Sequence, residues 1–171
     1  AVHAETSTGV RNPVEEIRQY LDNDTLLIVD AVTSLGTINL EVDKWGIDAV
    51  YSCSQKGLSC PPGASPVSFS SRARDKILKR KTLVPNFYLD MKQIIQYLGG
   101  SQRTYHHTAP INSMYAIYQA LYDLKSEGLD RAINRHLDAH TFLVDGLRKL
   151  GIKMLVDKGY RLPSLNAVVI P

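Results

Sequence analysis

The chain has 171 residues, enough for one domain with a sizeable core. Its 44% hydrophobic and 22% charged residues are ordinary for a soluble globular protein, and a net charge of +3 gives no argument for a nucleic-acid partner. No run approaches the roughly 18 apolar residues of a membrane helix, so no membrane partner is expected.

In chain order, residues 1–3 read as the tail of a strand, and 5–9 as a polar loop. Residues 13–21 read as a helix with Asn12 as N-cap and Pro13 at its first position. Residues 25–29 are a short, nearly all-apolar run, expected to be a central strand covered on both faces. It leads directly into Asp30. Residues 47–52 form a second strand pattern, followed by Gln55, Lys56, Gly57 and the turn signal Pro61-Pro62-Gly63. Residues 66–69 form a third, placed at a sheet edge by Pro66. The basic run 72–81 is interrupted by Ile77 and Leu78, which makes it an amphipathic helix with a solvated basic face, capped by Ser70 or Ser71.

Residues 88–98 read as a helix stopped by Gly99 and Gly100, followed by a loop over 101–109. Pro110 opens a helix whose Met114, Ile117, Leu121 and Leu124 recur at helical spacing. Gly128 punctuates, and a second long helix covers 129–150. Its Ile133, Leu137, Phe142, Leu143 and Leu147 are expected to face inward, and Gly151 ends it. Strand patterns at 152–156 and 167–170 suggest a second, smaller unit, which divides the chain into 1–127 and 128–171. The whole reads as α/β, mostly parallel, with helices on both sheet faces. Strand patterns stand at both chain ends, so the chain is expected to be an internal fragment.

In sheets of this kind ligands sit beyond the carboxyl ends of the strands. Asp30, Lys56 and the loop after His3 all fall at such ends. A lysine on a buried stem can become a usable amine nucleophile toward aldehydes. A carboxylate nearby can keep a pyridine nitrogen protonated, and together the two suit a pyridoxal phosphate enzyme. A competing interpretation needs no cofactor: a lysine after a strand is commonly a surface residue, and an aspartate closing one is commonly a turn or cap. Cys53 and Cys60, with six residues between them, lack zinc-pair spacing, so no metal site is expected. They read as small packing residues in a reduced, intracellular setting.

With these residues in hand, the chain resembles the class V aminotransferases of the pyridoxal-phosphate fold-type I superfamily. The likeness is greatest to the alanine–glyoxylate / serine–pyruvate branch. It is carried by His3-Ala-Glu-Thr-Ser-Thr-Gly9, Leu27-Ile-Val-Asp-Ala-Val-Thr-Ser34, Gly46-Ile-Asp-Ala-Val-Tyr51, Ser54-Gln-Lys56 with Pro61-Pro-Gly63, Tyr105-His-His-Thr108 and Arg161-Leu-Pro163.

The resemblance implies that Lys56 holds the cofactor aldehyde and shuttles a proton, and that Asp30 pairs with the pyridine nitrogen. It implies that Gln55 binds the cofactor phosphate and that Thr6, where the family commonly has Ser, bonds its phenolic oxygen. Tyr105 and Thr108 match residues reaching the phosphate of the neighbouring subunit in a homodimer with shared active sites. His106 and His107 read as imidazoles bonded within their loop, and Trp45 as a packing residue. A glycine-containing phosphate loop is implied ahead of Ala1, and a substrate-carboxylate arginine beyond Pro171. Neither Arg103 nor Arg161 matches that arginine. The implied reaction moves an amino group from alanine or serine to glyoxylate or pyruvate, in a peroxisome or mitochondrion. Kynurenine-type or aminophosphonate substrates, or a truncated copy without activity, are the alternatives.

Overall fold

The computed structural model describes residues 1–99 and 104–170. Gly100, Ser101, Arg103 and Pro171, which bear on the sequence expectations above, lie outside the described residues. The centre is a three-stranded sheet of β3 (Ile28–Asp30), β4 (Ala49–Tyr51) and β5 (Val67–Phe69), in the order β3-β4-β5. β3 and β4 are parallel, pairing Ile28 with Ala49 and Asp30 with Tyr51, and β4 and β5 are antiparallel. On the far side of β3 the first three residues run parallel to it: Asp30 donates its N–H to the Ala1 carbonyl at 2.8 Å, and His3 donates to the Asp30 carbonyl at 2.9 Å. β5 stands at the edge, as Pro66 implies.

β3 is covered on one face only. Val29 is fully buried, whereas Ile28, on the opposite face, is 51% exposed. The buried face packs Val14, Leu27, Val29 and Ile47 together, with Ile17, Leu40 and Trp45 around them. Trp45 is thus a packing residue, as expected, and meets the His3 ring edge-on with centroids 5.4 Å apart. Residues Val14–Tyr20 form a 3-10 helix, not the expected α-helix. Asn12 makes no cap; its amide donates to the Val2 carbonyl at 2.9 Å, which ties the segment to the strand instead.

Ahead of that helix, β1 (Ala4–Glu5) and β2 (Val10–Arg11) form a hairpin. It is tied to the C-terminal segment, since Leu162 donates to the Gly9 carbonyl at 2.8 Å. Beyond the sheet, α1 (Ser71–Lys79) is capped by Ser70 Oγ, which accepts from the Ala73 N–H at 3.1 Å. The basic face of α1 is not wholly solvated, because Arg72 turns inward onto Asp48. α2 (Met91–Gly99) follows, then α3 (Ile111–Glu127) and α4 (Leu129–Lys149), joined at Gly128. β6 (Lys153–Met154) and β7 (Val168–Val169) pair antiparallel.

The inward faces expected of α3 and α4 are only partly formed among the described residues. Met114, Leu121, Leu137, Phe142 and Leu143 are exposed, and only Ala132 is buried among described residues of the two helices. Ile117, Leu124, Ile133 and Leu147 of the same pattern are half-buried, where α3 and α4 pack on each other and on β6, so the apolar faces are covered only in part.

Candidate active site

Two loops leave the carboxyl ends of the parallel pair and lie against each other. Ala31, after β3, donates its N–H to the Tyr51 carbonyl at 2.9 Å, and Ser52 Oγ, after β4, donates back to the Ala31 carbonyl at 3.0 Å. The β3 loop turns tightly, with Leu35 N–H on the Ala31 carbonyl at 3.0 Å and Thr37 Oγ1 on the Thr33 carbonyl at 3.0 Å. The β4 loop closes on itself through Ser59 N–H to Lys56 O and Cys60 N–H to Ser54 O, both 2.9 Å. Gly57 lets the loops meet. A Cβ there would stand 2.6 Å from Thr37 Cγ2 and would overlap the Leu35 carbonyl oxygen, so no larger residue fits without moving backbone.

Asp30 is half-buried at the mouth of this junction. Its Oδ1 accepts the Val32 N–H at 2.8 Å and its Oδ2 accepts the Tyr51 hydroxyl at 2.8 Å. The bond to Asp30 raises the Tyr51 phenol above its ordinary range, with burial and the carboxylate charge adding to it. Thr6 reaches the same region from the β1–β2 turn, where its Oγ1 lies 2.5 Å from that of buried Thr33.

Lys56 and Gln55 depart from expectation. Both are exposed, so the buried lysine stem inferred from the strand-end position is not formed. The physical reason is the shape of the β4 loop: Ser54, Leu58 and Cys60 take its inward positions, which leaves residues 55 and 56 on the outer tip. No ion pair joins Lys56 to Asp30 among the described residues. Cys53 and Cys60 are buried and free, and Cys60 Sγ donates to the Ala116 carbonyl at 3.2 Å, consistent with packing roles.

Tyr105 and Thr108 are hydrogen-bonded to each other through their hydroxyls and exposed. Their segment packs against Phe87, Tyr88 and Tyr97. Among the described residues no hydrogen bond links either hydroxyl to the Asp30–Lys56 loops. His106 and His107 bond each other through their Nδ1 atoms at 2.7 Å, as the sequence reading held.

Sequence reasoning missed three residues here. Tyr51 and Thr33 stand in the sequence only as parts of longer motifs, and the role of Tyr51 follows from a strand register opposite Asp30 that the structure shows. The third is Asp48, at the opposite end of β4. Its carboxylate, 3% exposed as a residue, accepts from Leu27 N–H at 2.8 Å, Ser70 Oγ at 3.0 Å and Arg72 Nε at 2.9 Å, with Arg18 at 3.4 Å. Burial opposes its charge, but the Arg72 bond and the Leu27 and Ser70 donors prevail and lower its pKa to about 2. Asp48 therefore fastens β3, β4 and α1 together and is structural. His3, fully buried, has a pKa lowered to about 4, first by burial and then by the charge of Arg11.

A cavity of about 970 Å³ lies on the open sheet face, between Ile28, Ala49, Phe69 and the helices α1 and α2. None of Asp30, Lys56, Gln55 or Thr6 lines it, so the candidate chemistry and this cavity are separate. Among the described residues no cluster of three or more metal-ligating side chains forms, and no helix is long and apolar enough to cross a membrane.

The donor set at the strand ends suits pyridoxal phosphate. Asp30 is an oriented carboxylate for a ring nitrogen, Lys56 an accessible amine for an aldehyde, Gln55 an exposed amide for phosphate and Thr6 a hydroxyl for a phenolic oxygen. Comparison with known proteins gives the fold class, that of the pyridoxal-phosphate-dependent transferases of fold type I. The family model described as aminotransferase class-V matches residues 1–170, and the chain belongs to that family. The alanine–glyoxylate aminotransferase of Callithrix jacchus is 40% identical over 173 residues, covering 99% of this chain and 42% of that protein. The crystal structure of alanine–glyoxylate aminotransferase from Nostoc sp. superposes with a TM-score of 0.92 at 50% identity, covering 99% of this chain and 45% of that one. That of the ureidoglycine–glyoxylate aminotransferase from Bacillus subtilis gives 0.91 at 34% identity, with 99% and 44% covered. The chain thus spans less than half the length of these relatives.

Proposed function

We propose that this chain supplies the cofactor-holding part of a pyridoxal-phosphate-dependent aminotransferase that moves an amino group from alanine or serine to glyoxylate or pyruvate. The observation that carries it is the junction of the two strand-end loops, where Gly57 sets the Lys56 loop directly against the loop that begins at Asp30. Glyoxylate occurs in the names of both the alanine and the ureidoglycine relatives, which supports glyoxylate as the acceptor.

When bound, the cofactor supplies an aldehyde and an electron-withdrawing ring. In this reading Asp30 keeps a proton on the ring nitrogen, its carboxylate aimed by Val32 N–H and Tyr51. Lys56 would hold the cofactor through its aldehyde and would carry a proton to and from the substrate carbon. Gln55 holds the phosphate, and Thr6, braced by Thr33, meets the phenolic oxygen. Tyr105 and Thr108 serve the phosphate of a partner subunit. The two units 1–127 and 128–171, and a peroxisomal or mitochondrial location, belong to the same proposal on family likeness.

Borohydride reduction of the full-length protein with pyridoxal phosphate, followed by peptide mapping, is the test. The pyridoxyl tag is expected on Lys56; a tag on Lys44 or Lys81 removes Lys56 from the role.

A further inference from the structure

In the segment 105–108 the two outer residues, Tyr105 and Thr108, are exposed, and between them His106 is buried and His107 half-buried. His106 is 7% exposed, with its ring stacked on Phe87 at a centroid distance of 4.5 Å and an interplanar angle of 19°. Its Nε2 lies 3.0 Å from the Phe87 carbonyl oxygen. A carbonyl only accepts, so Nε2 carries the hydrogen. In the neutral ring Nδ1 then accepts, and the 2.7 Å partner, His107 Nδ1, must donate. The bonding thus assigns both tautomers: His106 as Nε2–H and His107 as Nδ1–H. The His107 ring is clasped by Tyr88, edge-on at 5.3 Å, and by Tyr97 at 5.7 Å. Tyr97 also meets the Tyr105 ring edge-on at 6.4 Å.

This chain of contacts joins the short helix Phe87–Leu89 and α2 to the loop and leaves Tyr105 and Thr108 bonded to each other at its surface. Two hydroxyls carry two hydrogens. One is used between them, and one remains to donate outward.

We propose that His106 and His107 are positioning residues that hold the Tyr105–Thr108 hydroxyl pair ready for a phosphate group. The proposal rests on the reading of those two hydroxyls as phosphate donors. Anchoring the loop at its two central residues removes the ordering cost that a free loop meets on binding an anion.

The test uses the full-length protein stripped of cofactor, titrated with pyridoxal phosphate and with phosphate-free pyridoxal. The ratio of the two dissociation constants isolates the phosphate contribution, whereas general loosening of the fold weakens both ligands. His106→Gln keeps a donor for the Phe87 carbonyl but loses the link to His107. His106→Asn keeps an acceptor for His107 but loses Phe87. Each is expected to reduce the phosphate-dependent preference about fivefold or more. In a Tyr105→Phe, Thr108→Val background the same changes are expected to do nothing further, because the groups being positioned are gone.

If Tyr105→Phe, Thr108→Val lowers the ratio but the His106 variants do not, or lower it equally in both backgrounds, the positioning role is overturned and the hydroxyl reading stands. If the hydroxyl variant leaves the ratio unchanged, both fall. Side-chain ¹⁵N shifts of the unsubstituted protein provide a check independent of variant folding: Nε2–H on His106 and Nδ1–H on His107 are expected, and the reverse pair overturns the arrangement.

Discussion

Tyr51 donates its phenolic hydrogen to Asp30 Oδ2 at 2.8 Å, across the parallel register that pairs the two residues on β4 and β3. Paired residues on adjacent strands point to the same face, so this contact follows from the register itself. With Val32 N–H on Oδ1, the carboxylate is held from two sides while keeping lone pairs for a third donor.

Tyr51→Phe removes one of these supports without changing the shape of the site. A lost hydrogen bond to a charged acceptor at a half-exposed position is worth about 1 kcal/mol, or roughly fivefold in binding. The expected result is about fivefold weaker binding of pyridoxal phosphate by the full-length protein, measured by titrating the cofactor's absorbance. Unchanged affinity would show that Asp30 needs no help from Tyr51.

Gly57→Ala tests the loop junction. The new methyl would meet Thr37 Cγ2 and the Leu35 carbonyl, and the latter is backbone that cannot swing aside. Overpacking of this kind costs about 1–3 kcal/mol. A lowered thermal midpoint and loss of the Lys56 tag are expected together. Wild-type stability and tagging would mean that the loops do not meet as described.

Acid stability should fall in two windows. His3 has a folded pKa of about 4 against an ordinary 6.5, so the unfolded chain binds its proton first and stability drops as pH falls from about 6.5 to 4. Asp48 shows the same sign from a different cause: its arginine and hydrogen-bond donors favour the charged form and depress the carboxylate from 3.8 to about 2. Its contribution, on the order of 2 kcal/mol, is complete above pH 3.8 and is lost as pH falls through 2. Urea midpoints across pH provide the measurement. His3→Gln should flatten the upper window alone, and Asp48→Asn the lower one, with an added loss of about 2 kcal/mol at neutral pH from arginines left unpaired. A single window unaffected by either change would contradict both assignments.

Local chemistry was legible in the sequence, and lateral chemistry was not. Ser70 announced its cap because capping is decided within four residues. Asp30 and Lys56 stood out because strand ends carry a periodic signal. Tyr51, Thr33 and Asp48 gave none, because their partners lie across the fold: Asp30 from β4, Thr6 from the hairpin, Arg72 from α1. The 3-10 geometry of Val14–Tyr20 was hidden for the same reason, since Asn12 serves the Val2 carbonyl instead of the helix. Helical spacing in α3 and α4 marks a face that is only part covered: Ile117, Leu124, Ile133 and Leu147 are half-buried, and Met114, Leu121, Leu137, Phe142 and Leu143 are exposed. Periodicity identifies a face and says nothing about what covers it.

The last prediction concerns whether Tyr105 and Thr108 act across a dimer. Within this chain their hydroxyls bond each other, their segment packs with Phe87 and Tyr97, and among the described residues no hydrogen bond links either hydroxyl to the Asp30–Lys56 junction. Donors held out from their own site are suited to completing a copy of it on a second subunit. Mixed dimers of the full-length protein separate the possibilities. One subunit carries Lys56→Ala and the other Tyr105→Phe with Thr108→Val. If the loop acts in trans, the damaged lysine and the damaged loop fall in the same site, the other site is whole, and the dimer keeps about half of the wild-type rate. If the loop acts in cis, each site carries one lesion and none is whole. Measured transamination near half of wild type supports the shared site, and a rate no higher than the average of the two homodimeric variants refutes it.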